Sequence, residues 1–307
     1  MTSAPTFLFG FERSGTTLLT MMVGAHPRLS CPLSVTGTWW HFADRLAEFG
    51  RLETPADIRR MVAEVAAHER LALWNVPFDE DRIASEISPG SYSDLVSAFH
   101  TAAAQAEGKS AWVNMDIVTL FRFEDVARLF PTARFVQIVR DGRDVALSFK
   151  GYRYGGLNAL EIADQWSRAT VAADRIGHAL GPERYLRLRY EDIVALPEDT
   201  LDQFCDFIGE RFEPAMLDYA KDVSRKVPQK TRDLWPVLDR PPQTDRVERW
   251  KREMKGSERY VIEESARDAL DRFGYARGGE GFSAGGELRG AWCYLTRGER
   301  LKRLRGK

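Results

Sequence analysis

TFLFGFERSGTTLLTMMVGA, residues Thr6 to Ala25, is the stretch that decides the fold. Thr6 to Phe11 is a short run of apolar and β-favouring residues ending in a glycine-bearing segment, the pattern of a buried strand. Thr17 to Val23 is apolar on all sides and meets no breaker until Gly24 and the His26-Pro27 stop, which predicts a buried helix. Between them lies Gly10-x-x-x-x-Gly15-Thr16-Thr17. A strand, a glycine loop and a helix N-terminus together form an anion cradle. Amide N–H groups point at the ligand and the helix dipole adds roughly half a positive charge.

The spacing is that of a P-loop with one difference. A nucleotide triphosphatase ends the loop in Gly-Lys-Ser/Thr, and the Lys reaches the β- and γ-phosphates. Here Thr16 stands at the Lys position and the cation comes earlier, as Arg13. One guanidinium, three hydroxyls and several amides suit a shorter, less charged anion than a Mg-bound triphosphate. An ordinary tight strand-to-helix turn is the plainer reading of the same residues.

The chain has 307 residues, enough for one large domain or two small ones. Its 44 Lys+Arg against 45 Asp+Glu give no polyanion-binding balance, so no nucleic-acid partner is expected. Cys31, Cys205 and Cys293 are far apart and form no CxxC pair, which predicts a reducing, cytoplasmic setting. The first strand starts almost at once, with no secretory leader, and no apolar run approaches the roughly 18 residues of a membrane span.

Downstream, Leu29 to Leu33 reads as a second short strand running on into the aromatic segment Thr36 to Phe42, which belongs near the carboxyl end of the sheet. His41 in that segment reads as a general base or as a packed ring. Pro55–Leu73 and Ser93–Ala106 have helical spacing, and the stretch of about 43–108 forms either a cap over the sheet or a layer on its back face. Ala111 to Asp116 is a buried strand whose polar tip, Asp116, faces the crevice or caps the helix Thr119–Leu129 that follows. Arg134 to Val139 is the next strand. Arg140, at its end, and Ser148, two turns on, suit a second phosphate, unless the alternating Arg and Asp of residues 140–144 form a surface charge cluster. Asp144 would cap the start of the helix there. Ala159–Leu180 is a long helix, Tyr185 to Tyr190 a half-exposed strand, and Pro197 opens a helix that stops at Gly209. Ser224–Arg246 reads as a loop able to close over a ligand, with Arg246, Arg249 and Trp250 at its end, and a last helix starts near Ser257. Strands alternating with helices predict an α/β fold with a P-loop-like, mostly parallel sheet flanked by helices on both faces. The α/β domain extends over residues 1–277, and 278–307 is a Gly-rich, then basic tail.

The chain resembles the sulfotransferases that use 3′-phosphoadenosine 5′-phosphosulfate (PAPS). RSGTTLL resembles their 5′-phosphosulfate loop and IVRDGRDVALSF their 3′-phosphate element. AHPRLSC, RYEDIVALPEDTL and VERWKREM resemble the bacterial and tyrosylprotein branch, and order and spacing match as far as about Arg277. The resemblance implies that Arg13, Ser14, Gly15, Thr16 and Thr17 hold the 5′-phosphosulfate and that Arg140 and Ser148 grip the 3′-phosphate. Tyr190 would lie along the nucleotide, with Arg246, Arg249 and Trp250 closing over it. PAPS then serves as co-substrate, PAP is the product, and no metal is required. Arg13 would stabilise the charge that develops on the leaving phosphate. The acceptor would be a small molecule or a peptide, attacking in line through a hydroxyl or amine.

The departure from the family lies in the base. The tyrosylprotein branch has Gly-Glu-Glu after its second strand, where this chain reads Cys31-Pro32-Leu33-Ser34. Relatives carry Lys-Thr-Pro or Lys-Thr-His at the strand tip that here is Asn114-Met115-Asp116. In the register of the cytosolic branch Asp116 falls near the catalytic His, which makes Asp116 the first candidate and His41 the second. Two rivals stand beside this reading: a P-loop kinase of small molecules using ATP and Mg²⁺, and a non-catalytic PAPS-binding homologue.

Overall fold

A computed structural model of the chain describes residues 4–33, 36–150, 159–222 and 240–278. The tail from 279 onward, and residues 224–239 of the expected closing loop, lie outside them. Strand β1 (Thr6–Gly10) runs between β3 (Ala111–Met115) and β4 (Arg134–Val139), with β2 (Leu29–Ser30) beside β3 and β5 (Tyr185–Arg189) beside β4. All four pairings are parallel, and Leu8 sits level with both Met115 and Val136. β1 is buried throughout, which explains its unbroken apolar sequence: a central parallel strand has no solvent face.

The two faces of the sheet build different cores. Phe7 and Phe9 point to one face, where Phe7 stacks on Phe135 at 5.6 Å and Phe9 meets Phe123 at 4.8 Å. Leu8 points to the other, among Leu19, Met22, Val113, Val136 and Ile138. That second face is covered by α1 (Thr16–Gly24), α9 (Tyr190–Ala195) and α10 (Pro197–Ile208). The phenylalanine face takes α2 (Thr38–Ala43), α3 (Pro55–Ala66), α4 (Glu80–Ser85), α5 (Tyr92–Ala106), α6 (Phe123–Leu129) and α8 (Ala159–Leu180). The helices of the 43–108 stretch therefore share one continuous core with the sheet. Within it His100 is wholly enclosed by Trp39, Trp74 and Trp112, at ring distances of 5.5, 4.9 and 4.7 Å.

Caps fix several boundaries. Thr54 accepts from the Asp57 amide at 3.2 Å ahead of Pro55, and Ser91 accepts from Asp94 at 3.2 Å. Gly209 ends α10 with φ 77°. Elsewhere the sequence reading shifts. β2 stops after Ser30, since Pro32 has no N–H to extend it, and Gly37, left-handed at φ 73°, starts helix α2 inside the aromatic segment. The helix expected over Thr119–Leu129 splits into a 3₁₀ turn (Ile117–Leu120) and α6, leaving Phe121 exposed in the break. Tyr190 is the first residue of α9 and not a strand end. The last helix divides at Ala266 into Gly256–Ser265 and Arg267–Arg272.

The largest departure is Arg143, on α7 (Gly142–Lys150). It is not part of a surface cluster but only 1% exposed. Its guanidinium donates to Asp141 at 2.7 Å, to Glu263 at 2.6 Å and to the Ala276 carbonyl at 2.9 Å, and lies 3.6 Å from the Trp250 ring centre. This buried ion cluster ties the last helices to the sheet edge. Removing one member of such a cluster strands the others as uncompensated charge, at roughly 3–5 kcal/mol. Arg143→Met is therefore expected to lower unfolding free energy by that amount in urea titration, and adding Glu263→Gln to restore part of it. Equal stability of Arg143→Met and wild type refutes the assignment.

Candidate active site

The cradle sits where the parallel sheet delivers it. After Gly10 the chain makes a turn in which the Ser14 amide donates to the Phe11 carbonyl at 3.1 Å and Arg13 adopts φ 67°. Gly15 precedes α1 with φ 94°, and a Cβ there would lie 2.3 Å from the Tyr190 ring. Glycine is thus needed twice over, for its left-handed backbone and for the tyrosine laid against it. Gly10 is similarly confined: a Cβ would meet the Ile138 carbonyl at 2.5 Å.

The two anion elements foreseen in the sequence meet here. Arg13 Nε donates to Ser148 Oγ at 3.0 Å, across 135 residues of chain. Arg140 donates from Nη1 to the Arg13 carbonyl at 3.0 Å and from Nη2 to the Arg246 carbonyl at 2.6 Å. Its guanidinium carbon stands 4.3 Å from the Tyr190 ring centre. The Trp250 amide donates to Asp144 Oδ1 at 2.9 Å, so α7 also holds the segment that follows Arg246. Arg249 turns instead to Glu253, at 2.8 Å, within its own turn. Arg13, Ser14, Gly15, Arg140, Ser148, Tyr190, Arg246 and Trp250 thus form one constellation at the carboxyl edge of the sheet, with Thr16 and Thr17 in the first turn of α1.

Ser14 Oγ and Arg140 Nε are buried and have no hydrogen-bond partner among the described residues. Buried polar atoms ordinarily find partners. A hydroxyl and a guanidinium donor in that state, beside a helix N-terminus, are what a phosphate- or sulfate-bearing ligand would satisfy.

The two candidate bases sit differently. Asp116 is 2% exposed and both its oxygens are engaged. Oδ1 accepts from the Val118 amide at 2.9 Å, capping the 3₁₀ turn, and Oδ1 and Oδ2 accept from Gly37 at 3.3 and 3.2 Å. Burial pushes its carboxyl up to about 6, against the pull of those backbone donors. The cavity beside it, between Trp39, Trp40, Tyr92 and Asn114, is about 20 Å³, room for a water and not for an acceptor. His41 is exposed on α2 and meets Arg45 at 3.0 Å and the His68 ring at 5.8 Å. None of its described contacts reaches the cradle. Trp39 and Phe42 of the aromatic segment are buried in the core, and Trp74 and Phe78 pack against it.

Asp144 is the second carboxylate raised by burial to about 6, with Arg140 pulling it down. Both aspartates bind their proton more tightly folded than unfolded, where the ordinary value is about 4. The contribution of these two groups to stability should therefore fall as pH rises from about 4 to 6, by on the order of 2 kcal/mol from each, as the folded state ionises at a desolvation cost. Urea titrations at pH values across that window should show Asp116→Asn/Asp144→Asn losing this downward component relative to wild type. Parallel profiles for the two proteins contradict the buried, proton-holding state.

A parallel α/β sheet with an anion loop after its first strand, and an Arg–Ser pair after its fourth, defines a phosphate- or sulfate-handling P-loop-like protein. Residues 5–214 match the profile of the Sulfotransferase family, and the chain belongs to that family. It is 23% identical over 224 residues to protein-tyrosine sulfotransferase 2 of Gallus gallus, covering 71% of this chain and 54% of that one. The chain thus spans about half the length of that relative. Two solved structures share the fold. The sulfotransferase domain of the Synechococcus PCC 7002 olefin synthase superposes with TM-score 0.62 at 20% identity, covering 89% of this chain and 96% of that domain. The sulfotransferase domain from the curacin biosynthetic pathway gives 0.60 at 19% identity, covering 91% of this chain and 99% of that domain.

Proposed function

We propose that this protein transfers a sulfuryl group from PAPS to a hydroxyl or amine of an acceptor by in-line displacement. The observation that carries the reading is the Arg13–Ser148 hydrogen bond at 3.0 Å, with Arg140 bridging to the same loop, because it joins a 5′-type and a 3′-type anion element in one site. Family membership supports the chemistry in general terms.

In this reading Ser14, Thr16, Thr17 and the amides from Gly15 onward hold the 5′-phosphosulfate, and Arg140 and Ser148 take the 3′-phosphate. PAPS supplies an activated sulfuryl group on a phosphate leaving group. Arg13 lies beside the loop amides and counters charge gathering on that phosphate. Tyr190 offers a flat ring along the nucleotide, and the Arg246–Trp250 segment, anchored through Asp144, forms one wall. The acceptor is a small molecule or a peptide. The name of the Gallus relative makes a tyrosine-containing peptide the first probe. Cys31 and Cys205, both buried thiols, suit a reducing compartment such as the cytoplasm. Among the described residues no helix is long and apolar enough to cross a membrane.

Titration calorimetry with PAP in the absence of Mg²⁺ tests the nucleotide. Wild type should bind, and Arg140→Ala should bind more weakly by at least about 1.4 kcal/mol, a factor of ten, as expected on losing a charged hydrogen-bond donor. No PAP binding together with ATP–Mg²⁺ binding would replace this reading with the kinase.

A further inference from the structure

The segment 246–250, one wall of the proposed site, meets the start of α7 at three points. Arg140 donates to the Arg246 carbonyl at 2.6 Å, the Arg143 guanidinium lies 3.6 Å from the Trp250 ring centre, and Asp144 accepts from the Trp250 amide at 2.9 Å. Arg140 stands just ahead of α7, and Arg143 and Asp144 lie in its first turn. The middle contact is the one fixed from elsewhere. Arg143 donates from Nε and Nη2 to Asp141 at 2.9 and 2.7 Å, from Nη1 to Glu263 at 2.6 Å, and from Nη2 to the Ala276 carbonyl at 2.9 Å. Glu263, in the helix Gly256–Ser265, is itself steadied by the Gly278 amide at 3.0 Å. A guanidinium is planar, so partners along its edges set the direction of its face. The face that carries the Trp250 ring is therefore aimed by the last helices.

The wall yields more readily than α7. Gly142, the first residue of α7, lies so close to the buried Trp166 ring that a Cβ would come within 2.4 Å of it. The wall has little structure of its own. Thr244–Arg246 and Trp250–Glu253 are single turns, and Glu248 between them takes a left-handed φ of 53°. A glutamate keeps such a backbone where surrounding contacts hold it there.

Buried ion clusters are poor sources of net stability beside apolar side chains of the same volume. What this one supplies is direction. We infer that Arg143 and Glu263 are positioning residues of the anion site: through the plane of Arg143, the last helices set where the wall 246–250 stands against the cradle, and with it the affinity for the nucleotide. This rests on the PAPS reading above.

PAP binding is measured by calorimetry, well below the unfolding temperature, for wild type, Glu263→Gln, Arg143→Lys and Leu270→Ala, with hydrogen exchange of the peptide 246–254 followed on the same preparations. Glu263→Gln keeps the shape of the side chain and removes the charge that holds Nη1. Arg143→Lys keeps a cation between the carboxylates and removes the planar fork. Leu270→Ala truncates a fully buried side chain of Arg267–Arg272, outside the hydrogen bonds of the cluster, and reports what loosening the last helices does by itself. Glu263→Gln and Arg143→Lys should each bind PAP about tenfold more weakly and exchange faster over 246–254. Leu270→Ala should stay within about threefold of wild type in affinity. If Glu263→Gln does not fold, Arg143→Lys carries the same expectation. Affinity within about threefold of wild type in the cluster variants overturns the assignment, and so does an equal loss in Leu270→Ala. Failure of wild type to bind PAP overturns instead the nucleotide reading on which the assignment rests.

Discussion

The guanidinium of Arg140 is the contact on which the site depends. It joins the loop after β1, the segment ahead of Trp250 and the ring of Tyr190, which are 127, 106 and 50 residues away in sequence. Two of its partners are carbonyl oxygens, so the bonds are charge-assisted and stronger than ordinary amide pairs. Nε is the donor left over once both carbonyls are served, and it has no partner among the described residues.

A site proposed to take two anionic groups is bordered by several carboxylates, which at first sight opposes that role. The structure removes most of that opposition in two ways. Asp141 is matched by Arg143, which also serves Glu263. Asp144 and Glu191 are buried enough that their proton affinity rises, so their charge is the least favoured in the group. What remains near the cradle is the positive end of α1, with Arg13 and Arg140, and the exposed Glu12 beside Arg13.

The first strand, its loop and its helix were legible because their signals are local: an apolar run, two glycines and a stop at His26-Pro27. The bounds of Ala159–Leu180 and Pro197–Ile208 were legible for the same reason, through period and caps. Arg143 was not, because alternating Arg and Asp reads as solvated surface until Glu263, 120 residues on, arrives beside it. Asp116 was ambiguous between chemistry and capping, since both place a carboxylate at a strand tip. The structure engages its oxygens with Gly37 and Val118, and the former contact joins loops 79 residues apart. The direction of His41 depended on where α2 begins, which Gly37 sets through a backbone angle that residue identity alone permits without requiring.

His100 has a consequence of another kind. Buried among three tryptophans with both ring nitrogens lacking partners among the described residues, it is held neutral, its proton affinity lowered to about 3 by desolvation. An unfolded chain takes up that proton near pH 6.5, its ordinary value. Between these two points each step toward acid favours the open chain over the folded one. The aromatic box is therefore a built-in lower acid limit for the fold. Because its walls are indoles, the approach to that limit carries its own optical reporter in tryptophan emission.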